Sequence, residues 1–225
     1  MEDNQAKWSA VDAYFNHLLV STDDVLQATL ADSEQAEMPA HNVAPNQAKL
    51  LQLLLQIQQA KSVLEIGTLG GYSTIWLARS LPADGKVISL EVDAKRAEVA
   101  RKNIDRAGLS QQVNIRVGKA VDSLAQLKAE QQGPFDFIFI DADKPSNPLY
   151  LNWALQFSRK GTVIFWDNVV RNGAVVDVGS TDANVQGVQQ FSQMLSEQPR
   201  VSSTVLQTVG EKGYDGFMLS VVISD

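Results

Sequence analysis

Short apolar runs alternate along this chain with longer stretches in which apolar residues recur at helical spacing. The runs at 62–66, 86–91, 112–117, 135–141 and 161–167 read as strands. The stretches at 73–81, 94–107, 121–131, 147–158 and 184–197 read as helices, and Gly108 stands where a helix C′ residue belongs. Strand alternating with helix predicts a parallel sheet with helices on both faces. The run 135–141 is almost wholly apolar and should be a central strand. Two further runs, 201–208 and 216–223, flank Glu211-Lys212-Gly213-Tyr214-Asp215. That composition suits a hairpin, so an antiparallel pair should close one edge of a seven-stranded sheet.

Ahead of the sheet, residues 8–38 predict two short helices. Trp8, Val11, Tyr14, Phe15, Leu18 and Leu19 form the first apolar stripe, and Val25, Leu26, Thr29 and Leu30 the second. Ser21-Thr22-Asp23-Asp24 between them is a stop and a new N-cap. Met38 to Pro45 contains two prolines and should run extended before a helix over 45–60. The expected organisation is one α/β domain, with 1–44 as a helical appendage and loop, and 45–225 as the core.

Composition narrows the class. The chain has 225 residues, 44% of them hydrophobic, enough for a sizeable core. It has no cysteine, hence no disulfide, thiolate metal site or cysteine nucleophile. No signal-peptide pattern or membrane-length apolar run is visible, so a cytoplasmic protein with no membrane partner is expected. The net charge of −7 is unevenly placed: residues 1–42 hold eight acidic side chains and one basic one, leaving the remainder balanced. A nucleic-acid partner would want a basic face and is not expected. A solvated acidic face is the plainer use of these charges.

The candidate chemistry begins at Val63-Leu64-Glu65-Ile66-Gly67-Thr68-Leu69-Gly70-Gly71-Tyr72-Ser73. An apolar strand enters a glycine-rich turn and a helix follows at once, which is the first unit of a nucleotide-binding α/β fold. Glycines there let the backbone approach a ligand, and the helix start offers unpaired N–H groups. A dinucleotide site wants Gly-x-Gly-x-x-Gly to seat a pyrophosphate, yet Leu69 stands at the second glycine position. The carboxylate of Glu65 repels phosphate but suits a cationic ligand end. Glu91 ends the next strand, placed to accept from ribose hydroxyls. S-adenosylmethionine, with an ammonium, a sulfonium and no phosphate, fits better than NAD. The plainer alternative is a turn whose glycines only permit close packing.

Two later strands end in aspartate, at Asp141 (followed by Ala142-Asp143-Lys144) and at Asp167 (followed by Asn168). In a parallel sheet these groups share the carboxyl edge. Asp141, Asp167 and Asn168 offer oxygen only, which suits Mg²⁺, Mn²⁺ or Ca²⁺ rather than Zn²⁺. The alternative is that each aspartate caps the following turn. Lys144, three residues beyond Asp141, is a candidate base for whatever the metal binds; the alternative is a surface lysine pairing with Asp143. His41, in the loop before residue 45, is a further acid–base candidate, though a lone loop histidine usually has no such role.

Taken together, Val63 to Ser73, the strand ending in Glu91, Asp141-Ala142-Asp143-Lys144 and Asp167-Asn168-Val169 resemble the cation-dependent class I O-methyltransferases, which include the catechol and caffeoyl-CoA O-methyltransferases. The likeness covers about residues 38–223. The resemblance implies a Rossmann-like S-adenosylmethionine-dependent methyltransferase fold. It implies that Val43, Glu65, Gly67, Thr68, Ser73, Glu91, Ala120, Asp141 and Asp143 form the S-adenosylmethionine site. It implies that Asp141, Asp167 and Asn168 hold the divalent ion, Mg²⁺ first, that Lys144 is the base, and that Asn172 faces a catechol-like, phenolic substrate. A homodimer is implied as well. The loop 171–183 lacks the tryptophan often seen after Asp-Asn in this family, and the N-terminal segment matches neither its animal nor its plant pattern. Two other functions compete: an NAD(P)-dependent oxidoreductase, which lacks its phosphate-seating glycine here, and a non-catalytic S-adenosylmethionine-binding protein, which needs no base.

Overall fold

The structure, a computed structural model, describes residues 4–21 and 23–225. Thr22 of the predicted helix break, and Glu2 and Asp3 of the acidic segment, lie outside the described residues. The chain divides into two compact units, Val11–Gln131 and the pair of segments Met1–Ala10 and Gln132–Asp225.

Helix α1 (Asn4–Leu19) opens the chain. Its predicted stripe is present, but Val11, Tyr14, Phe15, Leu18 and Leu19 are all exposed. The buried residue of α1 is Asp12, whose Oδ1 accepts from Asn46 Nδ2 at 2.9 Å. A polar contact, not the apolar stripe, thus turns this part of the helix inward. Helix α2 (Asp24–Gln35) starts where the acidic break predicts, with the Asp23 side chain accepting from the Leu26 N–H.

In the unit Val11–Gln131, helix α3 (Pro45–Gln58) precedes strand β1 (Ser62–Ile66). Helix α3 stops before the predicted residue 60 because Gln59 takes a left-handed φ of 56°. Then follow α4 (Tyr72–Arg79), β2 (Lys86–Glu91), α5 (Ala94–Arg106), β3 (Val113–Val117) and α6 (Ala120–Ala129). The strands are parallel in the order β3-β2-β1. β1 and β2 are buried on both faces along most of their length, as expected of parallel strands covered by helices. Asp93 caps α5 through the N–H groups of Lys95 and Arg96, and Gly108 ends it at φ 71°.

The other unit contains β4 (Phe137–Ile140), a 3-10 turn (Lys144–Ser146), α7 (Asn147–Gln156) and β5 (Val163–Trp166). A second 3-10 segment (Arg171–Val176), α8 (Ala183–Ser196), β6 (Val201–Gly210) and β7 (Gly213–Val222) complete it. β4 and β5 are parallel, whereas β7 runs antiparallel to both β5 and β6, giving the order β4-β5-β7-β6. This is the hairpin edge read from the tail. Its core is aromatic: Phe165 stacks on Phe217 with ring centroids 4.5 Å apart, and Trp166 meets Phe191 at the same distance. The loop 171–183 holds the second 3-10 segment, Arg171–Val176. Among the described residues no helix is long and apolar enough to cross a membrane.

Candidate active site

Glu65 and Ser89 stand opposite each other in the β1–β2 register, so their side chains share a face. Glu65 is fully buried. Its Oε1 accepts from Ser73 Oγ at 2.6 Å, and its Oε2 accepts from Thr74 Oγ1 and from Ser89 Oγ. The residue read as facing a cationic ligand end therefore also braces the start of α4 against both strands. Thr68, buried beside it, shares a hydrogen bond with Ser89. We expect Glu65→Gln to cost about 2 kcal/mol of stability, because the new NH₂ group opposes hydroxyls that need an acceptor. Urea unfolding checks this, and an unchanged midpoint would remove the bracing role.

The turn between β1 and α4 is left-handed at three positions, Gly67 (φ 106°), Leu69 (φ 50°) and Gly71 (φ 89°). Leu69 carries a side chain in a conformation that favours glycine. Glu91 holds it there, its Oε2 accepting from the Leu69 N–H at 2.8 Å while Oε1 accepts from the Asp93 N–H at 3.0 Å. A carboxylate has acceptor capacity beyond two such bonds, so Glu91 can still take ribose hydroxyls. Val43 is buried just before α3, and Ala120 is half-buried at the start of α6. His41 is exposed.

At the ends of β4 and β5 the acidic groups gather. Lys144 is 5% exposed, and its Nζ donates to Asp141 Oδ1 at 3.2 Å. Asp167 is buried and its Oδ1 accepts from the Asn168 N–H at 2.8 Å. Asn168 adopts φ 54°, a left-handed conformation that asparagine tolerates. Desolvation holds the Lys212 ammonium below the usual lysine range, against the fields of Glu211, Asp141 and Asp167. Among the described residues no group of three or more His, Cys, Asp and Glu side chains is gathered for a metal. The candidate set is two carboxylates and one amide, all oxygen donors, and it fits a hard divalent ion.

Asp143 is exposed, and both its oxygens are engaged: Oδ1 accepts from Tyr150 Oη at 2.6 Å and Oδ2 from Ser146 Oγ. Burial and the Asp143 carboxylate push the Tyr150 phenol above its ordinary value. Asn172 is exposed, at φ 55°.

Several supporting residues were not anticipated. Asp215 Oδ1 accepts from the N–H groups of Val170, Arg171 and Gly216, pinning the chain that follows Asn168. Gly187 lets α8 lie against the backbone of Lys144: a Cβ there would sit 2.2 Å from the Lys144 carbonyl oxygen. Gly187→Ala should displace the Lys144 segment and lower kcat about tenfold or more, since small misplacements of reacting groups are costly. The affinity for S-adenosylhomocysteine should fall less than kcat does. Steady-state kinetics beside calorimetry will show it, and an unaltered kcat would mean the segment relaxes freely.

The strand–glycine turn–helix over Ser62–Arg79, with the carboxylates of Glu65 and Glu91 buried, is the architecture of a nucleotide-binding α/β unit. The sequence profile described as O-methyltransferase matches residues 17–221. Catechol O-methyltransferase of Niastella koreensis is 54% identical over 97% of this chain and 99% of its own length. Catechol O-methyltransferase of Mycobacterium tuberculosis is 47% identical over 98% of each. The solved O-methyltransferase of Bacillus cereus in complex with S-adenosylhomocysteine is 55% identical, with a TM-score of 0.95 over 97% of this chain and 99% of that one. The chain belongs to the O-methyltransferase family, enzymes that transfer a methyl group from S-adenosylmethionine to oxygen. Its fold class is the seven-stranded, mostly parallel sheet closing in an antiparallel hairpin.

Proposed function

We propose that this O-methyltransferase depends on a divalent cation and methylates a catechol-like small molecule. The observation that carries the proposal is the contact of Lys144 Nζ with Asp141 Oδ1 just beyond β4, next to the parallel strand β5, which Asp167 and Asn168 follow. A structural ion pair needs no further carboxylate and amide at the adjoining strand end. The names of the Niastella and Mycobacterium relatives support the acceptor class.

In this proposal Asp141, Asp167 and Asn168 hold the ion, Mg²⁺ first, with Mn²⁺ or Ca²⁺ as alternatives. Bound there, a divalent ion supplies Lewis acidity that lowers the pKa of an acceptor hydroxyl. Lys144 takes the hydroxyl proton on Nζ, and Asp141 fixes the direction of that amine. Val43, Glu65, Gly67, Thr68, Ser73, Glu91, Ala120, Asp141 and Asp143 bind and orient the methyl donor, and Glu65 also stiffens the helix start that presents Ser73. Glu91 accepts from the donor's ribose. Asn172 and the loop around it meet the acceptor. The protein's contribution is chiefly positioning and charge placement.

The proposal takes both units as one methyltransferase domain, in a cytoplasmic homodimer that acts on small molecules rather than nucleic acid. The acidic balance of the chain supports the substrate class, and the exposed apolar stripe of α1 supports self-association. The test is a methyl-transfer screen with radiolabelled S-adenosylmethionine against catechols, flavonoids and hydroxycinnamoyl thioesters. Labelling of vicinal diols, with monohydroxy analogues unlabelled, is expected. Cofactor binding without transfer to any diol would reject the acceptor class.

A further inference from the structure

The glycine turn is held from outside its own strand and helix. The carbonyl of Gly70 accepts from Asn103 Nδ2 at 2.9 Å, and Asn103, on α5, is fully buried. Its other end is also committed, Oδ1 accepting from Arg106 NH1 at 2.8 Å. Arg106 in turn pairs through NH2 with Asp32 on α2. Helix α2 and the residues after it also press on the same glycine: a Cβ at Gly70 would lie 2.0 Å from Ser33 Oγ and 3.7 Å from Met38 Sδ. A second ion pair, Asp23 to Arg79 at 2.7 Å, fastens the start of α2 to the end of α4.

These contacts form one line from surface to turn: Asp32, Arg106, Asn103, Gly70. Both ends of the Asn103 amide are used, so its orientation is set by its partners. The turn has a left-handed leucine, Leu69, and such a conformation in a residue with a Cβ persists only when the surroundings over-determine it. Glu91 supplies one constraint from within the sheet. Asn103 supplies another from α5, and α2 closes the remaining side.

We propose that Asn103 is a positioning residue for the methyl-donor turn, and that α2, acting through Asp32 and Arg106, sets the enzyme's affinity for its nucleoside donor. The inference rests on the reading of this turn as the S-adenosylmethionine site. It gives part of the acidic N-terminal segment a use beyond solubility. The Asp32 and Arg106 side chains are partly exposed, at 33% and 39%, so salt screens their pairing. Donor affinity in the wild type therefore weakens as ionic strength rises, and Asp32→Asn removes most of that dependence.

The experiment is calorimetric titration of S-adenosylhomocysteine into the full chain at low and high salt, with thermal unfolding recorded for each variant. The set is wild type, Asn103→Ala, Asp32→Asn, Arg106→Met and the Asp32→Asn/Arg106→Met double variant. Glu98→Gln is the control, because its pairing with Lys102 lies on the same helix without a link to the turn. Asn103→Ala is expected to raise Kd about tenfold, the scale of a buried hydrogen bond with its partners left unpaired. Asp32→Asn and Arg106→Met are expected to raise it about threefold each, and the double variant no further, because they break one connection. Glu98→Gln should match wild type. The relay is wrong if Asn103→Ala binds as wild type does. Should that variant not fold, wild-type Kd and salt dependence in Asp32→Asn and Arg106→Met overturn it equally. Failure of wild type itself to bind would reject the donor-site reading, and this inference with it.

Discussion

Asp141→Ala is expected to reduce methyl transfer to a catechol about a thousandfold or more, the scale seen when a preorganised charge partner is removed from a reacting centre. The substitution removes a proposed metal ligand and the acceptor for Lys144 Nζ together. Affinity for S-adenosylhomocysteine should stay within about tenfold of wild type, because a bound donor keeps the rest of its contacts. Mn²⁺ binding followed by electron paramagnetic resonance should fall in parallel with turnover. Asp167→Asn should show the same pattern, since an amide oxygen holds a dication less tightly than a carboxylate. Retained Mn²⁺ binding in Asp141→Ala would move the metal site elsewhere.

Lys144→Met is the second large effect. Methionine keeps an unbranched side chain in the buried space, with sulfur in place of Cδ and no amine, so packing changes little. General-base catalysis is worth about 10²–10⁴ in rate, and kcat should drop within that range. Mn²⁺ affinity and S-adenosylhomocysteine affinity should be close to wild type. The loss should be largest near neutral pH and shrink in alkaline buffer, where hydroxide ionises the acceptor without help. Turnover equal to wild type across the pH range would exclude Lys144 as the base and leave it as the buried partner of Asp141.

The main-chain layout was legible because apolar period and turn chemistry agree along most of the sequence. β1 runs over Ser62–Ile66, the bounds its apolar pattern predicts, and α2 begins behind Asp23 as the acidic break requires. The adjacency of Asp141 and Asp167 was legible too, since they follow β4 and β5, which pair in parallel. What escaped was the bracing. Asp215 binds the N–H of Val170 across 45 residues, and Asn103 binds Gly70 across 33. Such side-chain to backbone bonds leave no periodic trace. Gly187 was equally silent: a glycine inside a helix reads as a weak helix former until the neighbouring backbone is seen. The α1 stripe shows the converse, a clear apolar pattern whose side chains are exposed.

Glu65 lies between these cases. Its position at the end of β1 was read as a charge facing a ligand, and the structure adds that the carboxylate accepts from the hydroxyls of Ser73, Thr74 and Ser89. Two of those donors come from the helix that starts beyond the turn and one from the adjacent strand. Only the β1–β2 register brings Ser89 opposite Glu65.

The dependence of turnover on a divalent ion tests the whole account most directly. Purified enzyme would be stripped with EDTA, assayed with S-adenosylmethionine and a catechol, and assayed again after Mg²⁺ is restored. Methylation should vanish on stripping and return with the ion, and Asp141→Ala should stay inactive in both. Full turnover in the stripped enzyme would contradict a cation held by Asp141, Asp167 and Asn168, and with it the assignment of this chain's acceptor chemistry.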